Sequence, residues 1–203
     1  LTARHPVSHY PAPIRRVDVP EYEQTLDFSL LPGPGYVVRD IGVLPGAAQA
    51  VALAVSDRGQ VVGWAPDAEG LARPIVYDIW SGMRSLEADP SGASNATDIN
   101  NRGDVAGRIA YATAWYDGVP VNLGALVPLP ASAATGINDD RLVVGHSLVS
   151  TTVNTWQAFL FRDLNGNLQS DAGEMLCLGT FGGAESRGEA INAAGYVAGS
   201  AMN

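Results

Sequence analysis

The chain contains no lysine. All 12 of its basic residues are arginine, set against 21 Asp and Glu, for a net charge of −9 over 203 residues. A net negative surface argues against nucleic acid or anionic membrane as the main partner, because both are polyanions gripped through basic patches. It suits cation binding and solubility outside the cell. Cysteine is nearly absent: Cys177 stands alone, so no disulfide can form within the chain and redox compartment is not encoded in it. Its neighbours Met175, Leu176 and Leu178 lead us to expect a buried, inert thiol. Long apolar runs are missing too. None approaches the roughly 18 residues of a membrane span, so none is expected, and no signal peptide is legible. The chain begins at Leu1 without Met, as a processed form would.

What is present is apolar and punctuated. Hydrophobic residues make up 46% and charged residues 16%, enough for a packed core and too much for a disordered chain. The 23 glycines and 13 prolines are spread along the sequence, which fits many short strands joined by tight turns. Residues 1–34 stand apart. Pro6, Pro11, Pro13, Pro20, Pro32 and Pro34 punctuate them and favour an extended arm over helix or central strand. Ile14 to Val19 could pair at a sheet edge.

Residues 35–203 carry a repeat. Val55-Ser56-Asp57-Arg58-Gly59-Gln60-Val61-Val62-Gly63 has the same layout as Ile99–Gly107, Ile137–Gly145 and Ile191–Gly199: a β-branched residue, a polar turn, a short strand and a closing glycine. Each reads as a β-hairpin. An aromatic strand follows three of them, at Arg73–Tyr77, Ala112–Tyr116 and Gln157–Phe161. A further strand with a small-residue turn after it (Val37–Gly42, Met83–Leu86, Val121–Gly124, Met175–Gly179) reads as the opening of each unit. The closing glycines lie 44, 38 and 54 residues apart. About four short strands in roughly 40 residues is the size of a propeller blade. The expected fold is therefore all-β: a β-propeller-like array of about four four-stranded antiparallel sheets behind an extended N-terminal arm. Two departures stand out. Arg141 replaces the glycine of the other three turns, at a cost of roughly 1 kcal/mol if φ is positive there. The fourth unit stops at Asn203, before any aromatic strand.

These strings resemble the HAF-repeat family of extracellular repeat proteins. Its unit is similar to Leu178-Gly179-Thr180-Phe181-Gly182-Gly183, to Ala190–Gly199 and, in place of the family's His-Ala-Phe strand, to Gln157-Ala158-Phe159-Leu160-Phe161. The family's histidine is missing from all three aromatic strands. The resemblance spans about residues 36–203 and implies an exported, propeller-like repeat protein, and no reaction.

The longest glycine spacing contains Asp163–Glu174, which resembles the calcium loop of EF-hand and dockerin-like proteins. Such loops place oxygen ligands at alternate positions and end on a bidentate Glu. The implied ligands are Asp163, Asn165, Asn167, the Gln169 carbonyl, Asp171 through water, and Glu174. Leu168 sits where these loops carry glycine, and a leucine at positive φ is an outlier. The ion-free alternative is an Asn/Gly/Asp-rich turn. Structural Ca²⁺ is the cofactor expected. The histidines offer less: His5 and His9 flank prolines, and His146 lacks a nucleophile motif, so no catalytic residues are assigned. Trp64, Trp80, Trp115 and Trp156 could stack on sugar rings or pack between sheets. The functional expectation is a secreted or cell-surface structural or adhesive module, self-associating into a homo-oligomer or filament as the N-terminal arm donates a strand to the unfinished last sheet. A glycan-binding lectin and, behind it, a propeller lyase or hydrolase are the alternatives.

Overall fold

A computed structural model describes residues 39–89, 92–128 and 131–203. The expected arm of residues 1–34, with His5, His9 and Ile14–Val19, lies outside the described residues, as do Val37 and Val38. Arg39 to Gly42 are described and form no strand. Residues 42–203 make up one body.

Its regular elements are all strands. Sheet one holds β1 (Val51–Val55), β2 (Val61–Pro66), β3 (Ala72–Asp78) and β4 (Gly82–Ser85). Sheet two holds β5 (Asn95–Ile99), β6 (Val105–Arg108), β7 (Ala112–Tyr116) and β8 (Val119–Gly124). Sheet three holds β9 (Ser132–Ile137), β10 (Val143–Ser150), β11 (Thr155–Phe161) and β12 (Met175–Gly179). Sheet four is the hairpin β13 (Ser186–Ile191) and β14 (Val197–Ala201). Each sheet is an antiparallel meander in chain order. The all-β, propeller-like array of four sheets is thus observed, with two corrections. Among the described residues the fourth sheet has two strands rather than four. The strands at Met83–Leu86, Val121–Gly124 and Met175–Gly179 close the sheet before them instead of opening the next, because the chain folds back after each aromatic strand, through a short turn in sheets one and two and through the longer loop after Phe161 in sheet three.

Successive sheets pack face to face, with β1, β5, β9 and β13 side by side. Val62, Val76 and Leu86 of sheet one meet Ala96, Ile99, Val105 and Trp115 of sheet two. Ala106, Ala112, Ala114, Tyr116 and Leu123 of sheet two meet Ala134, Ile137, Val143, Phe159 and Phe161 of sheet three. A face of alanines receives two whole phenyl rings, so small meets large and no void is left. Each fully buried aromatic contributes about 2 kcal/mol. The series has two ends, since β13 has no packing against β1 like that between neighbours.

The closing glycine has a steric cause. In every first hairpin the register slips by one residue, leaving Leu53, Thr97, Thr135 and Glu189 unpaired as β-bulges. The bulge pushes a carbonyl of the first strand onto the second. A Cβ at Gly63, Gly107, Gly145 or Gly199 would lie 1.8, 2.1, 2.0 or 2.1 Å from the carbonyl oxygen of Val51, Asn95, Ala133 or Arg187. Nothing larger than glycine fits.

Candidate functional site

The four hairpin turns share one pattern. The residue at the turn's start (Ser56, Asn100, Asn138, Asn192) closes it through paired backbone bonds. In the last three copies its Oδ1 also accepts two N–H groups of its own turn, as Asn138 Oδ1 does from Asp140 and Leu142. The Asn Nδ2 reaches forward: Asn100 donates to the Asn138 carbonyl and Asn138 to the Asn192 carbonyl. The bulged threonines act in the same sense, Thr97 Oγ1 donating to the Ala134 carbonyl at 2.9 Å and Thr135 Oγ1 to that of Gly188 at 2.8 Å. Beside this ladder Asn101 Nδ2 bridges Asp57 and Asp139. The turns of all four sheets line a cleft of about 190 Å³. Serines bond backwards: Ser132 and Ser186 each take an N–H from the preceding aromatic strand and give a proton to the Gly124 or Gly179 carbonyl.

Arg141 keeps the same turn as its glycine counterparts, with φ of 62°. Its guanidinium spans both oxygens of Asp104, at 2.8 and 3.1 Å, and lies 5.1 Å from the centre of the Tyr116 ring. Hydrogen bonding to Asp104 raises the arginine's pKa. Burial, then the Asp104 charge, push the Tyr116 hydroxyl up to about 12.

The Asp163–Glu174 loop joins β11 to β12 and links Asn165, Asn167, Asp171 and Glu174 by hydrogen bonds, while among the described residues no three acidic or metal-ligating side chains converge as a metal site. Asp163 accepts backbone N–H groups from Asn165 and Gly166 on Oδ1 and from Leu168 on Oδ2. Asn165 and Asn167 both point Nδ2 at Asp171 Oδ2, at 2.8 Å each. The Gln169 N–H donates to Asn167 Oδ1. Glu174 is 3% exposed and accepts the N–H groups of Leu164 and Asp171, one on each oxygen. Leu168 does adopt positive φ, at 57°. The sharp turn is made because its side chain packs against the buried cluster shared by sheets two and three, an apolar anchor that offsets the backbone strain. Partial burial works to raise the Asp163 pKa, but four N–H groups from Leu168, Gly166, Asn165 and Asn167 outweigh it and hold the carboxyl below its usual range. The donors are hard oxygens with three carboxylates, a set that fits Ca²⁺.

The remaining candidates are scattered. Trp115 is fully buried and donates its indole N–H to the Glu87 carbonyl, so it packs between sheets and is no sugar platform. Trp80 is 91% exposed on a turn. Trp156 takes the His146 ring on its edge, with centroids 5.3 Å apart, and the Arg187 guanidinium at 5.4 Å. His146 Nδ1 has no hydrogen-bond partner, so no Ser-His-Asp arrangement forms there. Its pKa is lowered first by burial, then by Arg187. Cys177 is exposed, against expectation, with Sγ 3.1 Å from Gln157 Oε1. On the edge strand β12 it shares the face of Phe159, towards sheet two, while Leu176 and Leu178 point the other way, towards sheet four, and are exposed there.

Beyond the hairpins and the loop, the sequence reading missed the forward Asn and Thr bonds, the serine links and the Asp104–Arg141 pair. Recurrence of Asn at 100, 138 and 192 was the one visible signal. No protein-family model matches the chain, and neither a curated protein nor a solved structure does.

Proposed function

We propose that the protein is a structural or adhesive β-repeat module of the cell exterior or surface, of HAF-repeat type, without enzymatic activity. It self-associates when the N-terminal arm of one copy adds a strand to the open sheet of another. The observation that carries this reading is sheet four. Among the described residues β14 pairs with β13 alone, so its outer edge presents free backbone groups, a template for strand addition. The apolar side chains around it are uncovered, with Phe181, Tyr196 and Met202 at 84, 76 and 55% exposure. The join is head-to-tail, which builds rings or filaments.

Calcium fixes the long loop in this reading. The amides of Asn165 and Asn167 turn Oδ1 inward, and the cation takes the place of their N–H groups on Asp171. Glu174 supplies the bidentate carboxylate and the Gln169 carbonyl a further oxygen.

Sedimentation velocity and electron microscopy test the assembly. The full chain should show species that grow with concentration, and deletion of residues 1–30 should leave a folded, non-assembling chain. Unchanged assembly by the shortened chain refutes strand donation. Thermal melts with millimolar Ca²⁺ and with chelator test the loop. Calcium should raise Tm for the native chain and leave Glu174→Gln unmoved, and a native chain blind to calcium refutes the ion.

A further inference from the structure

The gap beside β14 has a composition dictated by the sheets before it. In each complete sheet the third strand sets two side chains on one face, which in sheets two and three meets the preceding sheet. One faces the closing glycine: Ile75 across from Gly63, Thr113 from Gly107 and Phe159 from Gly145. All three are at most 2% exposed. The other, two residues on, faces a valine and is aromatic every time: Tyr77 across from Val61, Trp115 from Val105, Phe161 from Val143. Sheet four has the matching glycine and valine, Gly199 and Val197, and, among the described residues, no third strand. Where those two side chains belong, an open cleft of about 270 Å³ lies between Ala158 and Leu178 of sheet three and Gly188, Val197, Gly199 and Ala201 of sheet four.

The chain outside the described residues contains one stretch with this pattern in the right place. Thr25-Leu26-Asp27-Phe28-Ser29-Leu30 alternates apolar and polar residues and sets a large aliphatic two positions before an aromatic, as Ile75 precedes Tyr77. A Pro-Gly turn follows at Pro32–Gly35. Then comes Tyr36–Gly42, which ends on a glycine with φ of 73°, as β8 and β12 run into Gly124 and Gly179 at 80° and 75°. In sequence this is the order of a third strand, a turn and a fourth strand, the half absent from sheet four among the described residues, in which Arg39–Gly42 form no strand. Ile14 to Val19 has no aromatic residue and no such sequel.

We infer that the cleft beside β14 receives residues 25–30 of a second copy, running antiparallel to β14, with Leu26 facing Gly199 and Phe28 facing Val197. This rests on the strand-donation reading and names the donor and its register. Phe28 enters the cleft as Phe161 enters the face of sheet two. Leu26 covers Gly199, whose bare backbone accepts it as Gly145 accepts Phe159.

Disulfide trapping in full-length chains with Cys177→Ser tests it. One population carries Phe28→Cys and the other Val197→Cys, mixed under mild oxidant. The expected product is a mixed disulfide at least tenfold above that of the out-of-register pair Phe28→Cys with Ser200→Cys, and above that of Val17→Cys with Val197→Cys. In single-substitution form, Phe28→Ser should weaken assembly at least tenfold while Phe28→Trp retains it. Equal or better trapping at position 17, or no trapping at 28, overturns the register. If assembly nonetheless depends on residues 1–30, strand donation itself survives. A 28–197 bond that forms only within a chain carrying both cysteines overturns the second copy as donor.

Discussion

Replacing Arg141 by glycine restores the residue that the three sister turns carry, yet it should weaken the fold. Two terms compete. The backbone gains, since a side chain at φ of 62° costs about 1–2 kcal/mol that glycine does not incur. The packing loses, since Asp104 is 2% exposed in its side chain and its guanidinium partner is removed. Breaking a buried ion pair from one side costs about 3–5 kcal/mol. Arg141 is 27% exposed, which places the loss at the lower end of that range, and the contact with Tyr116 adds about 0.5–1 kcal/mol. Arg141→Gly should therefore destabilise by about 2 kcal/mol net. In urea, with a slope of about 1–3 kcal/mol/M, the midpoint should fall by roughly 1 M. Asp104→Asn in the Arg141→Gly background should recover most of the loss, because Asn100 Nδ2 still has an oxygen to donate to at position 104 and no charge is left stranded. Equilibrium urea melts of the two single variants and the double give the coupling directly. An Arg141→Gly chain as stable as the native one would sink the argument that the ion pair is what holds arginine in a glycine's conformation.

Gly145→Ala should cost about 3 kcal/mol or more, read as a drop in Tm, because its Cβ would meet the Ala133 carbonyl at 2.0 Å and the Phe159 ring at 2.8 Å. Asn138→Ala strands two N–H groups of its turn and removes one of the two bonds to the Asn192 carbonyl and should cost about 2–3 kcal/mol, clearly more than Asn192→Ala, whose amide serves only its own turn among the bonds observed. Equal losses in urea melts would count against the forward ladder. His146 has its pKa lowered by burial and by Arg187 and Arg108, against Glu189. Its neutral form is thus favoured in the fold, so its contribution is complete above the unfolded value of 6.5 and is lost as pH falls towards the folded pKa. Tm measured from pH 8 down to pH 5 should fall less in His146→Gln than in the native chain.

The hairpins were legible because their signal is local. A β-branched residue, a polar turn and a glycine specify Val55–Gly63 without reference to anything distant. The phase of the sheets was not legible, since Met83–Leu86 looks alike whether it opens one sheet or closes another, and only the hairpin to Ile75–Asp78 decides. The bulges were hidden too: Thr97 and Thr135 sit in runs of ordinary alternation, and their reach to Ala134 and Gly188 spans residues far apart in sequence. Arg141 was flagged as a misfit, but its partner Asp104 lies in the preceding turn. Leu168 reads as a defect in the loop, and its anchor, the cluster shared by sheets two and three, belongs to the core. Cys177 misleads because Leu176 and Leu178 alternate to the other face of an edge strand, so their apolar character says nothing about its own burial.

The forward bonds from Asn100, Asn138, Thr97 and Thr135 all land on backbone carbonyls. A carbonyl is supplied by any residue, so the receiving unit can drift in sequence without losing the join. Copying one unit of about 40 residues and inserting it between two others would supply these backbone-directed bonds at both new junctions at once, leaving the apolar faces and side-chain pairs such as Asp104–Arg141 to be matched. Such an array can gain or shed units over generations while its sheets stay in step.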